Sequence, residues 1–211
     1  MGNNKAGLLH QVAEYYSAKL DQHGMTPGGV DWNSEESQLL RFRQLIRVID
    51  DAEQFSINDL GCGYGALLDF LEREFSKQFS YLGIDVSASM IDAAKIRHAG
   101  NLKSRFIVGS RPDQTSDYGI ASGIFNVRLE KTDSEWFAYV ENTLDLLNES
   151  SRKGFAFNCL TSYSDPHRMR DDLYYADPCQ LFDLCKRKYA KNIALLHDYG
   201  LYEFTILVKK Q

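Results

Sequence analysis

Gly61, Gly63 and Gly65 occupy alternate positions just after the apolar run 55–60, with Asp59 two residues ahead of the first glycine and Asp85 closing the next apolar run, 81–84. Glycines so placed let the chain turn tightly from a buried strand into a helix and bring backbone N–H groups against a ligand with no Cβ in the way. The chemistry this suits is holding a nucleotide-like molecule. Read as G-x-G-x-x-A over Gly61 to Ala66, with Asp85 near the position of a ribose-binding acid, the turn passes for a dinucleotide site. Asp59 argues against that. A pyrophosphate would meet its carboxylate, and two unit charges about 4 Å apart interact by roughly 1 kcal/mol in water and roughly 4 kcal/mol in a partly shielded site. A ligand carrying an ammonium and a sulfonium would instead be attracted.

The heptapeptide Asp59-Leu60-Gly61-Cys62-Gly63-Tyr64-Gly65 fills every position of acid-x-Gly-x-Gly-x-Gly. It closely resembles the first motif of the class I S-adenosylmethionine-dependent methyltransferases, and the similarity runs from about residue 34 to the C-terminus. The resemblance implies S-adenosylmethionine as cofactor. Gly61, Cys62, Gly63 and Gly65 would pass under its methionine portion and ribose, Asp59 would attract its ammonium directly or through water, and Asp85 would take both ribose hydroxyls. Val86 and Met90 would pack on adenine. After the third strand the family often carries an acid for the adenine amino group, whereas this chain has Gly109 and Ser110, whose hydroxyl and backbone can serve the adenine edge. Two bland alternatives stay open: Asp85 as the cap of a helix beginning near Ser87, and Met90 as a core residue.

Around the methyl acceptor the resemblance implies three walls beside the segment 122–128. They are residues 24–36, with Trp32 and Asn33; Asn158 with the loop 161–177; and the turn at His197 and Tyr199. The candidate catalytic residues are His197, either a general base or an imidazole satisfied by neighbouring backbone, Asn126, either a contact to the acceptor or a cap of its loop, and Tyr163. Arg128, Arg168 and Arg170 are candidates for an acceptor carboxylate or phosphate, the last two competing with a role pairing Asp171 and Asp172. The segment 122–128 carries neither the Asn/Asp-Pro-Pro-aromatic tetrapeptide used on amide and exocyclic base nitrogens nor the Pro-Cys nucleophile of pyrimidine C5 methylation. Methyl transfer to a small polar metabolite is expected, oxygen preferred over nitrogen. An enzyme acting on tRNA or protein, and a non-catalytic module that binds the cofactor for regulation, are the alternatives. No metal-ligand spacing is visible, so no metal is expected.

The elements that must position these residues follow from hydrophobic patterning. The 211 residues are 44% hydrophobic, enough for one domain with a full core. Short strands apolar on both faces, at 56–60, 80–84, 105–108, 118–122 and 154–160, alternate with helical patterns at 65–75, 87–99 and 134–147, as in a parallel sheet covered on both faces. Helices are also expected at 8–20, 34–50 and 178–189, and strands at 192–197 and 202–209. The four residues 198–201 between the last two strands can make only a hairpin, so one strand runs antiparallel. Family resemblance adds the order 3-2-1-4-5-7-6, with residues 1–33 as an N-terminal helix and lid and 34–211 as the cofactor-binding domain. The formal charge of −5 supplies no field for a nucleic-acid backbone. No apolar run approaches the roughly 20 residues of a membrane span, and the N-terminus carries neither a signal-peptide region nor a myristoylation signal. A cytoplasmic protein is expected. Cys62, Cys159, Cys179 and Cys185 form no Cys-x-x-Cys pair and are read as structural thiols.

Overall fold

A computed structural model describes residues 2–50, 54–76 and 78–210. Met1, on which part of the reading of the N-terminus rests, lies outside them, as do the side chains of residues 2–6. Strands β1 (Gln54–Leu60), β2 (Gln78–Asp85), β3 (Ser104–Val108), β4 (Ser116–Ala121) and β5 (Ser151–Thr161) pair in parallel in the order β3-β2-β1-β4-β5. Beyond β5 come β8 (Glu203–Lys209), antiparallel to it, and then β7 (Asn192–Leu196) at the edge. The expected order is thus present with one addition. Tyr175 and Ala176 form a two-residue strand, β6, against the end of β5, so the hairpin strands count as seventh and eighth.

Helices α1 (Gly2–His23), α2 (Glu35–Leu45), α3 (Ala66–Glu74), α4 (Ala88–Arg97), α5 (Asp133–Glu149) and α6 (Pro178–Lys188) flank the sheet. Two buried clusters fill the space between the layers. One joins Trp136, Val140 and Leu144 of α5 and Leu181 of α6 to Phe155, Phe157 and Ile206. The other joins Phe42 and Leu45 of α2, Leu67, Phe70 and Leu71 of α3 and Ile91 of α4 to Ile57, Tyr81 and Ile120.

Local sequence sets where helices begin. Thr132 and Glu135 form a capping box on α5, Ser87 accepts the N–H of Met90 at 3.2 Å to start α4, and Asp177 caps α6. Each satisfies N–H groups that the first turn leaves unpaired. The helix expected over 34–50 stops at Leu45 and tightens into a 3-10 turn over Ile46–Val48. A second such turn, Pro27–Val30, was hidden in a stretch that reads as loop.

Candidate active site

Parallel sheets bind ligands beyond the carboxyl ends of their strands, where strand order reverses, and here that place lies between β1 and β4. A cavity of about 1030 Å³, its open mouth included, occupies it. Its floor is the turn Gly61 to Tyr64, and Ala66 and Leu67 bring the first turn of α3, the positive end of that helix, to its wall. Asp85 ends β2 there: one carboxylate oxygen accepts the N–H of Gly63 and the other that of Ser87, both at 2.9 Å. Burial pushes its carboxyl above the usual range, while the N–H groups of Ser87, Gly63 and Val86 pull the other way. Ser87, not Asp85, supplies the side-chain cap of α4, which leaves the remaining lone pairs of Asp85 to the cavity. Among the described residues Asp85 is the one charged side chain lining it.

The other walls are apolar or neutral. Val86, Met90, Gly109 and Ser110 stand on one side; Ser122, Gly123 and Ile124 follow β4 on another. The phenols of Tyr16 and Tyr139 also face the cavity, and burial pushes both up, Tyr139 to about 12, so both stay protonated in ordinary buffers. The Ser122 hydroxyl is buried with no hydrogen-bond partner among the described residues. Together these features fit an adenosyl compound: a carboxylate for ribose hydroxyls, apolar walls for a base, and a helix N-terminus for a carboxylate group.

Comparison with known proteins decides the family. A family model described as a methyltransferase domain matches residues 57–150. Rv1506c of Mycobacterium tuberculosis, itself named a methyltransferase only provisionally, is 63% identical over 165 residues, covering 78% of this chain and 99% of its own length. The chain belongs to the class I S-adenosylmethionine-dependent methyltransferases. Solved structures agree in fold. A complex of DhpI described with SAM and HEP has a TM-score of 0.69 at 14% identity, over 97% of this chain and 98% of its own. Human N-acetylserotonin methyltransferase with SAM has a TM-score of 0.58 at 15% identity, over 81% and 51%.

Within this methyltransferase, Gly61, Cys62, Gly63, Asp85, Val86, Met90, Gly109, Ser110 and Trp32 are brought to one cavity. Asp59 and Gly65 are not. The Asp59 carboxylate is buried and accepts the Tyr81 hydroxyl at 2.5 Å. Burial, opposed by that hydrogen bond and reinforced by the charge of Asp85, raises it to about 7. It stands behind the glycine turn, outside the lining, with its carboxylate on Tyr81. Gly65 has a φ of +85°, and a Cβ there would lie 2.8 Å from His98 Nε2, so it serves close packing of α3 on α4. His98 also belongs to the one cluster of possible metal ligands among the described residues, with Asp69 and Glu72; Arg97 pairs with that Asp69 at 2.6 Å, and Asn101 donates to Glu72 at 2.7 Å.

The expected acceptor residues fall elsewhere. His197 follows β7, three strands from β4 and so roughly 14 Å away at the usual interstrand spacing. Its ring packs near Tyr163, which is exposed, and Phe204. Asn126 accepts the N–H of Leu160 at 3.2 Å, and Asn158 is fully buried between Gly123 and Glu203. Arg128 donates to the carbonyls of Leu173 and Lys131, and Tyr199 bonds Thr205. Arg170 pairs with Asp172 at 2.5 Å, Arg168 lies over the Tyr202 ring, and Asn33 is exposed outside the lining. These polar groups find partners on neighbouring strands and loops outside the lining.

Sequence reasoning passed over Leu9, Val12 and Tyr16 of α1, Gln38 of α2, and Tyr139, Thr143 and Leu146 of α5, all of which line the cavity. Helical spacing marks most of them. Leu9, Val12 and Tyr16 stand at i, i+3 and i+7, and Tyr139, Thr143 and Leu146 at i, i+4 and i+7, each set on one face.

Proposed function

We propose that this methyltransferase binds S-adenosylmethionine with its ribose on Asp85 and its methionine carboxylate toward the first turn of α3. We further propose that it methylates a small molecule whose nucleophile needs no base from the protein. One observation carries the second reading: beside Asp85, which the ribose engages, no described lining side chain is charged or titrates near neutrality. A neutral amine, or a hydroxyl acidic enough to ionise in water, reacts under those conditions; an ordinary alcohol does not. The expected preference for oxygen over nitrogen draws no support from this lining, and the arginines outside the cavity give none to an anionic acceptor. Residues 1–33 are assigned as a cover over the domain 34–211, supported by Leu9, Val12, Tyr16, Val30 and Trp32 in the lining.

The cofactor supplies an electrophilic methyl group on a sulfonium. The chain's part is to hold the acceptor lone pair behind that methyl in line with the carbon–sulfur bond, a positioning effect that can lower a barrier by roughly 7–11 kcal/mol. Trp32, Phe42 and Gln38 form one wall and exclude water, while Ser122 offers a hydroxyl for a polar group brought into the cavity.

Incubation of the purified protein with methyl-labelled cofactor and a metabolite extract, read by mass spectrometry, tests this. Label is expected on an amine or an acidic hydroxyl, at a rate that tracks ionisation of the acceptor in solution. Label on an ordinary alcohol, with a rate controlled by a protein group titrating near neutrality, would overturn the base-free reading.

A further inference from the structure

Below the acceptor end of the cavity lies a buried ion pair that the chemistry above does not use. Arg41 of α2 donates from Nε and Nη2 to the two carboxylate oxygens of Glu203 at 2.8 and 2.6 Å, and the side chains are only 7% and 2% exposed. Burying such a pair is costly, and an apolar pair of the same size is often no less stable. Its partners suggest what it does. Glu203 also accepts the side-chain amide of Asn158 at 2.7 Å, and Asn158 Oδ1 in turn accepts the N–H of Gly123 at 2.8 Å. On the other side the Arg41 guanidinium lies 3.9 Å from the centre of the Trp32 indole. That indole covers Gly123 so closely that a Cβ there would come within 2.4 Å of it.

These contacts close a ring: Gly123, Asn158, Glu203, Arg41, Trp32 and back to Gly123. Two of its members, Trp32 and Gly123, line the cavity, and Gly123 stands between Ser122 and Ile124, which line it too. We propose that Glu203 is the hub of a positioning device with two arms. Through Arg41 it fixes the plane of Trp32, the acceptor wall. Through Asn158 it fixes the turn after β4, which presents Ser122 and Ile124 to the cofactor. Arg41 and Glu203 touch neither ligand; they are positioning residues. The stack on Trp32 requires a planar cation, and the double hydrogen bond to Glu203 requires a forked donor, so lysine cannot replace Arg41 in either respect. The cofactor half of the argument rests on the reading given under Proposed function; the Trp32 half does not.

The test separates the arms. In a Trp136→Phe background the fluorescence of Trp32 is read alone, since the chain has two tryptophans, and S-adenosylhomocysteine affinity is read by calorimetry. Arg41→Lys is expected to red-shift Trp32 and raise its quenching by acrylamide at least twofold, with S-adenosylhomocysteine affinity within about threefold of the parent. Asn158→Leu is expected to weaken S-adenosylhomocysteine at least tenfold while Trp32 quenching stays within about 20% of the parent. Glu203→Gln is expected to change both. If all three variants merely lower the melting temperature, with both readouts unchanged, the ring is a structural ion pair only and the proposal fails. It fails equally if Arg41→Lys and Asn158→Leu alter the two readouts to the same extent. A parent protein that does not bind S-adenosylhomocysteine would refute the cofactor reading; an unaltered Trp32 in Arg41→Lys would then refute the ring by itself.

Discussion

Two carboxylates near the ends of neighbouring strands meet different fates, and the groups around them set those fates. Asp85 has N–H donors on both oxygens and an open side toward the cavity; Asp59 has a single phenol, from Tyr81, and no opening. Burial accordingly holds Asp59 at about 7, against an ordinary value of 3.8. The folded protein keeps a proton that the unfolded chain has released between these values, so stability falls as pH rises across that window and levels off above it. That interval corresponds to at most roughly 4 kcal/mol. Asp59→Asn preserves an acceptor for Tyr81 and removes the ionisation. Its melting temperature is expected to lose most of the decline seen in the parent between pH 5 and pH 8, and parallel melting curves for the two proteins over that range would contradict the assignment. The motif announces an acid at position 59 but not the direction its side chain takes, because that depends on Tyr81, a neighbour on another strand.

Elements from α1 to α5 build the cavity, and two of them can be loosened separately. α5 carries Tyr139, Thr143 and Leu146 into the wall and is started by the reciprocal contacts of Thr132 and Glu135. Thr132→Ala should destabilise the protein by about 1 kcal/mol, measured by urea denaturation. The segment 24–33 is held from outside by Asp31, which accepts from Tyr15 and from Lys19, both at 2.7 Å, and lies 3.9 Å from Arg170. Burial works to raise the Asp31 carboxyl, but these donors outweigh it and hold it below the usual range. The clamp is therefore complete above that range and is lost as pH falls through the folded value. Asp31→Asn is expected to speed amide exchange across residues 27–33 while leaving the central strands unchanged; unaltered exchange there would show that Trp32 stacking on Arg41 suffices to hold the segment. Strand positions were legible in the sequence because buried parallel strands are short apolar runs, and the hairpin because four residues allow nothing else. The strand β6 and the turn Pro27–Val30 were not, since two- and four-residue elements have no periodicity to read.

At the scale of the molecule, the cavity lies where topology requires, and most residues expected to hold the cofactor line it; they were legible because the glycine turn and the end of β2 are each contiguous in sequence. Of the residues expected around the acceptor, Trp32 lines the cavity as well. His197, Tyr163, Asn158 and Arg128 do not, and their places are taken by helix faces, α1 among them, that only the folded chain brings together. Asp59 is buried against Tyr81 outside the lining and sets no charge against a pyrophosphate there, so the preference for an adenosyl sulfonium over a dinucleotide rests on the family to which the chain belongs. Calorimetry with S-adenosylhomocysteine, on the parent protein and on Asp85→Ala, tests this most directly. The parent is expected to bind S-adenosylhomocysteine and not NAD, and Asp85→Ala to weaken that binding by roughly 1–3 kcal/mol through loss of charge-assisted hydrogen bonds to the ribose. Binding of NAD by a parent that ignores S-adenosylhomocysteine, or equal affinity in the parent and Asp85→Ala, would contradict the account.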